Sequence, residues 1–333
     1  MTNINLKQIL FYLAIGALLS PFFINTNTYF PFIITKATVF RLIVEVMFVL
    51  WVIYLFKNKE KVYLSNLAKA VLIYGIILFI SALLGINFSW SIFSGNERME
   101  GVFGIWHFIL FFLILTTTFS REELENILKI QVYLGLVYSL LAIYTYFGFG
   151  PINPQMTSNR LAGFTGNPSY FALYALFNAF FALYFYFEEY RLNKKLFNWW
   201  FLIFGTFSLL MFLTGCRGTM IGYGVAMLVI GLAIIFKKDK EILELKKVFI
   251  GLFTIGLIFL ILIFSLKNTS FVKNNFALER LTSISIKDPT AVSRLYSAKT
   301  AFKAFLEKPL FGWGPENYQP AYIKYFNPIV IKY

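Results

Sequence analysis

Four arginines carry the chemical interest of this 333-residue sequence. Three of them stand in short polar stretches, beside glycine or proline, each just ahead of an apolar run. Arg98 lies in Ser94-Gly95-Asn96-Glu97-Arg98-Met99-Glu100-Gly101. Arg160 lies in Asn159-Arg160-Leu161-Ala162-Gly163-Phe164-Thr165-Gly166-Asn167-Pro168. Arg217 lies in Leu213-Thr214-Gly215-Cys216-Arg217-Gly218-Thr219, and the fourth, Arg294, in Val292-Ser293-Arg294. Asn167 can cap a helix that starts at Pro168, and Gly218-Thr219 opens another. Helix N-termini offer free amides and the positive end of the dipole to an anion. A guanidinium beside such an end adds a fork of donors that matches phosphate oxygens. Several of them around one cavity would hold a diphosphate, with Arg98, Arg160, Asn167, Arg217, Gly218 and Arg294 as the binding set. A plainer reading stands beside this one. An arginine near a membrane interface snorkels or pairs with a headgroup, and Gly218 with Gly222 would allow close helix packing.

Other chemistry is thinner. His107 is the only histidine, and inside an apolar run it reads as a buried, hydrogen-bonded side chain or as a catalytic base. The carboxylates Glu97, Glu100, Glu279, Asp288, Glu307 and Glu316 have no metal-ligand spacing, so no metal and no other cofactor is expected. Cys216 is the single cysteine, which excludes an intramolecular disulfide. It reads as a small residue in a tight turn, or as a thiol whose pKa Arg217 lowers. Trp90, Trp106, Trp199, Trp200 and Trp313 suit interface belts; Trp313 could instead stack on a sugar.

The elements that must position these residues are membrane helices. The chain is 59% hydrophobic, 20% aromatic and only 14% charged, against about one quarter charged in soluble domains. Nine stretches approach the roughly 20 apolar residues a span requires: 6–24, 39–56, 67–84, 102–119, 127–148, 169–187, 197–214, 218–236 and 248–266. The first has no small-residue cleavage pattern after it and reads as a retained helix rather than a removed signal. The expectation is an all-α polytopic membrane protein of about nine transmembrane helices, with a bundle over 1–266 and an extracytoplasmic segment over 267–333.

The net charge of +14 follows from orientation rather than from nucleic-acid binding. Lys57, Lys59, Lys61 and Lys69, then Arg121 and Lys129, then Arg191, Lys194 and Lys195, then Lys237 to Lys247, mark alternate loops as cytoplasmic. The N-terminus is then inside, and all four marked arginines lie outside. Asp288-Pro289 starts an amphipathic helix in the last segment, with Val292, Leu295, Tyr296, Phe302, Phe305 and Leu306 near helical spacing and Pro309 ending it. A Phe311-Gly312-Trp313-Gly314-Pro315 turn follows.

Taken in order, four stretches resemble the O-antigen ligase and O-antigen polymerase superfamily of bacterial envelope glycosyltransferases. They are Asn96-Glu97-Arg98-Met99-Glu100-Gly101; Arg160 through Ser169-Tyr170; Leu213-Thr214-Gly215-Cys216-Arg217-Gly218; and Ser293-Arg294 followed by Lys308-Pro309-Leu310-Phe311-Gly312-Trp313-Gly314-Pro315-Glu316-Asn317. The resemblance implies a GT-C-like bundle in the bacterial inner membrane and an undecaprenyl-diphosphate-linked glycan donor. It implies inverting, metal-independent transfer to an acceptor hydroxyl on a glycan, lipid or protein. Arg217 and Arg294 would be the catalytic arginines on the diphosphate, assisted by Arg98 and Arg160. Ligase, polymerase and protein O-oligosaccharyltransferase share these motifs. The family also carries a histidine late in its large outer loop, thought to activate the acceptor. This sequence ends at Ile331-Lys332-Tyr333 without it, and His107 cannot be carried over. The expectation is an N-terminal part, able to bind donor and possibly inactive in transfer. A transporter or flippase of a lipid-linked anion is the competing class, although no inverted repeat is visible.

Overall fold

The computed structural model describes residues 5–58, 62–95, 98–149, 160–237, 243–285 and 288–328. Asn96, Glu97, Asn159, the loop lysines Lys59, Lys61, Lys238 and Lys240, and residues 331–333 lie outside the described residues. Among the described residues all regular structure is helical. The elements are α1 (Leu6–Leu18), α2 (Ile34–Asn58), α3 (Asn66–Leu83), α4 (Phe88–Phe93), α5 (Val102–Thr118), α6 (Arg121–Tyr146), α7 (Pro168–Asn193), α8 (Trp199–Leu213), α9 (Arg217–Phe236), α10 (Leu243–Ser265), α11 (Ser270–Asn274), α12 (Phe276–Thr282), α13 (Pro289–Glu307) and α14 (Tyr318–Lys324).

Nine of these helices overlie the nine expected spans. Five of them, α2, α3, α6, α7 and α9, are long and apolar enough to cross a membrane. Of the other four, α1, α5 and α8 are shorter apolar helices, and α10 contributes an apolar stretch over Phe249–Ser265. Local signals cut them short. Ser20-Pro21 turns the end of α1 into a 3₁₀ turn, Ser20–Phe22. Asn198 caps α8 by accepting from Phe201 N–H, and the Thr214-Gly215 turn closes it. The chain is a polytopic helical membrane protein. Large apolar side chains such as Ile255, Ile221 and Val229 are exposed along α9 and α10; on a soluble chain such faces would aggregate, whereas lipid accepts them.

The chain divides into two compact units, residues 1–130 with 285–333, and 131–284. In the first, α1, α2 and α5 meet around Leu10, Ala14, Met47, Ile114 and Phe119. A second cluster joins α3 to α5 through Ala68, Ile109 and Leu113. In the second unit, α7 and α8 pack closely because one stripe of α7 is alanine: Ala172, Ala175, Ala179 and Ala182 are fully buried. Small residues let membrane helices approach. Asn178 of the same helix is buried and donates to the Tyr174 carbonyl at 2.8 Å. Gln131 of α6 donates to Tyr174 Oη at 3.1 Å, so the polar groups satisfy one another inside the unit.

Candidate functional site

The loop carrying Arg160 is built by its own hydrogen bonds. Gly163 and Gly166 adopt φ of +54° and +68°, the left-handed region that suits glycine. Thr165 Oγ1 donates to the Ala162 and Asn167 carbonyls. Asn167 caps α7 as expected: its Oδ1 accepts from Ser169 N–H at 2.8 Å, with Pro168 at the first helical position. The cap uses the side-chain oxygen and leaves the exposed amide nitrogen as a donor.

Arg160 reaches from this loop to the turn before α9. Its Nε donates to the Thr214 carbonyl at 2.9 Å. Thr214 Oγ1 donates to Met211 O at 2.7 Å and accepts from Cys216 N–H at 3.2 Å, which holds the turn. Gly215, at φ +64°, has no side chain because the Phe276 ring occupies that space. Arg217 is the first residue of α9. Its Nε donates to the Arg280 carbonyl at 3.3 Å and its Nη2 to Ser283 Oγ at 2.7 Å. The Arg160 and Arg280 guanidinium carbons lie 5.6 and 5.3 Å from the centroid of the Phe276 ring. Three arginines therefore gather at the start of α9. Burial, and then the neighbouring Arg280 charge, pull Arg160 below the ordinary guanidinium range, with Cys216 opposing. Among the described residues neither Arg160 nor Arg280 forms an ion pair with a carboxylate. Such a cluster, at the positive end of the α9 dipole, is suited to an anion of more than one charge. A Cβ added at Gly218 or Gly222 would meet nothing within 4 Å, so neither glycine serves helix packing among the described residues.

The other two marked arginines belong to the first unit. The Arg98 side chain is exposed, and its carbonyl, with that of Met99, accepts from Arg41 Nη2 at 3.3 and 2.6 Å. Arg294 is exposed on α13. The 311–317 turn is clasped to the α3–α4 corner. Ser81 Oγ donates to Phe311 O at 2.6 Å, and Ile86 N–H to Trp313 O at 3.0 Å. Buried Asn317 donates to Ser91 Oγ at 2.8 Å. Trp313 donates its indole N–H to Ala304 O at 2.9 Å, while Lys308 and Lys324 lie 5.1 and 5.5 Å from its ring. Two ammonium groups thus occupy the ring proposed for a sugar.

His107 is buried and bridges α5 to α2. Its Nδ1 donates to the Phe103 carbonyl at 2.8 Å, and its Nε2 meets Glu45 Oε1 at 3.1 Å. The second contact needs one proton, on either the ring or the carboxyl. This is the structural role of the two read from the sequence. His107→Ala is expected to cost about 1–3 kcal/mol, read as a lower thermal midpoint in detergent. Any activity per folded molecule should stay within about threefold, since no uncompensated site charge is lost. A fall of a hundredfold at unchanged stability would contradict it.

Residues 202–332 match the family model described as O-antigen ligase. Over this stretch the chain is similar to the O-antigen ligase family. No curated protein and no solved structure matches the chain. The O-antigen ligase region contains Arg217, Arg280, Arg294 and the 311–317 clasp, while Arg160 enters from outside it. Sequence reasoning missed Arg280 and Arg41. Arg280 had a signal: it follows Phe276 at i+4, a cation one turn from an aromatic. Neighbouring Glu279 masked it as a solvated, neutral pair. Arg41 lay inside an apolar span, where an ionisable residue is itself a pointer.

Cys216 reports on this arginine cluster. Burial pushes its thiol up, but hydrogen bonds with Thr219, then with Ser169, and finally the Arg160 charge bring it below the usual thiol value. Its alkylation by a neutral maleimide is therefore expected to reach half-maximal rate below the pH of a free thiol. Removing the charge with Arg160→Gln should move that midpoint upward. An unmoved midpoint would show that Arg160 does not act on the thiol.

Proposed function

We propose that the protein transfers a glycan from an undecaprenyl-diphosphate carrier to an acceptor hydroxyl on the outer face of the bacterial inner membrane. The convergence of Arg160 and Arg217 at the start of α9, a helix within the O-antigen ligase region, carries this reading. The lysine-rich loops support an inward N-terminus, which puts the arginine loops and the segment after α10 outside. In the reaction the anomeric C–O bond breaks, the acceptor oxygen bonds to that carbon from the opposite face, and the proton of the acceptor hydroxyl passes to solvent water. The bond's electrons leave with the diphosphate. Guanidinium groups stabilise charge that grows as the bond breaks, and so act more strongly on the transition state than on the donor. Asn167 and the amide of Gly218 add neutral donors. The resemblance adds Arg294 and Arg98 as residues whose loss impairs transfer. A metal is not needed where cations of the chain take this charge. Polymerase and protein-glycosylation chemistry share this donor half and differ in the acceptor.

The test is donor recognition and turnover in nanodiscs. Undecaprenyl diphosphate should bind more tightly than undecaprenyl monophosphate, and the free alcohol least. Supplying the glycan-linked donor and acceptor should release undecaprenyl diphosphate with a new glycosidic bond. Equal binding of all three lipids would refute the site. Movement of the lipid across sealed vesicles without new bonds would replace transfer by transport.

A further inference from the structure

We propose that Arg280 is a third diphosphate-binding arginine, acting with Arg160 and Arg217 on the anionic end of the lipid-linked donor. The inference rests on the donor reading above and extends it to a residue outside the four motifs. Asn275 caps α12 by accepting from Leu278 N–H at 3.2 Å, and this sets Phe276 and Arg280 one turn apart. Phe276 seats its ring over Gly215, where any side chain would collide with it. The ring then serves two cations, with Arg160 at 5.6 Å and Arg280 at 5.3 Å. The Arg280 carbonyl meanwhile accepts from Arg217. Arg160 and Arg280 are thereby held on one aromatic side chain, with Arg217 tied to the backbone of Arg280.

Gathering like charges is unfavourable. Each ring contact offsets part of this repulsion, and Arg217 donates to the Arg280 carbonyl and to Ser283 Oγ. Arg160 and Arg280 have no carboxylate partner among the described residues. Burial first, and the Arg280 charge second, lower the proton affinity of Arg160, with Cys216 opposing them only in part. A ligand with two adjacent negative groups would relieve the repulsion, and a diphosphate matches the need for one guanidinium fork on each phosphate. A single phosphate would satisfy fewer of the three.

The experiment is equilibrium binding of undecaprenyl diphosphate to the full chain in phosphatidylcholine nanodiscs. Arg280→Gln is expected to weaken binding about ten- to a hundredfold, the loss of one charge-assisted contact. Arg280→Lys should retain most of it. Neither substitution removes the carbonyl that Arg217 uses. An unchanged Cys216 alkylation rate without ligand would show that the turn before α9 is intact. If that rate changes in the glutamine variant, the lysine variant decides. Competition by inorganic pyrophosphate supports recognition of the diphosphate itself. Equal competition by phosphatidylglycerol would assign Arg280 to ordinary headgroups and overturn the proposal. Wild-type binding that is tight and unaltered in Arg280→Gln overturns this inference and leaves the donor reading standing. No diphosphate binding by the wild type overturns both.

Discussion

Arg217→Ala is expected to abolish the proposed glycan transfer and to leave the protein inserted in the membrane. Removing one preorganised donor to a developing oxyanion costs about 10² to 10³ in rate. Arg217 does more than supply charge. Its Nε and Nη2 hold the Arg280 carbonyl and Ser283 Oγ, so alanine also frees the 280–283 segment that brings Arg280 to Phe276. The expected loss is therefore at the upper end of that range or beyond it. Insertion depends on the apolar length of α9, which the first residue of the helix does not change. Arg217→Lys should recover charge but not the paired hydrogen bonds, and so restore only part of the rate. Transfer would be followed as undecaprenyl diphosphate released, with membrane-extracted protein measured beside it. Normal transfer by the alanine variant would sink the assignment of Arg217 to the leaving group.

Gly314→Ala should unfasten the 311–317 clasp and lower stability by about 2–5 kcal/mol. Two terms make up the estimate. The residue adopts φ +91°, where an L side chain costs about 1–2 kcal/mol. Its Cβ would lie 2.7 Å from Asn317 Nδ2, 2.8 Å from Ser91 Oγ and 3.0 Å from Gly85 Cα. Relief requires breaking the Asn317–Ser91 hydrogen bond, and a buried amide left without its partner costs about 1–3 kcal/mol. Gly312 is the control. It also has positive φ, at +68°, but a Cβ there meets nothing within 4 Å, so Gly312→Ala bears the strain alone. The thermal midpoint in detergent, with protease cleavage between 310 and 317, would read both. Equal effects of the two substitutions would show that close packing at the clasp is not what selects Gly314.

Some of this protein was legible residue by residue. Apolar length and lysine placement set the membrane helices, because burial in lipid depends on composition along one segment and needs no partner. Caps were equally local: Asn167-Pro168 starts α7 and Pro289 starts α13 as read, since a cap is satisfied within three residues. Exact lengths were less so. The 3₁₀ turn at Ser20–Phe22 and the capped, 15-residue α8 shorten runs that composition alone continues.

The sequence by itself determined that four arginines with glycine-rich neighbours are set among apolar helices, and that no disulfide can form. Which of them meet was a tertiary matter. Arg160 and Arg217 come together with Arg280 because Gly215 leaves room for the Phe276 ring, a contact between residues 61 positions apart. Arg98 and Arg294 belong to the other unit. His107 became a helix bridge once Glu45 of α2 stood 3.1 Å from it. The glycines of the 311–317 turn acquired their meaning against Gly85 and Ser91. Local propensity speaks for a segment in isolation, whereas shape fit and shared hydrogen bonds exist only after distant segments are packed, so the arginine cluster had to await the fold.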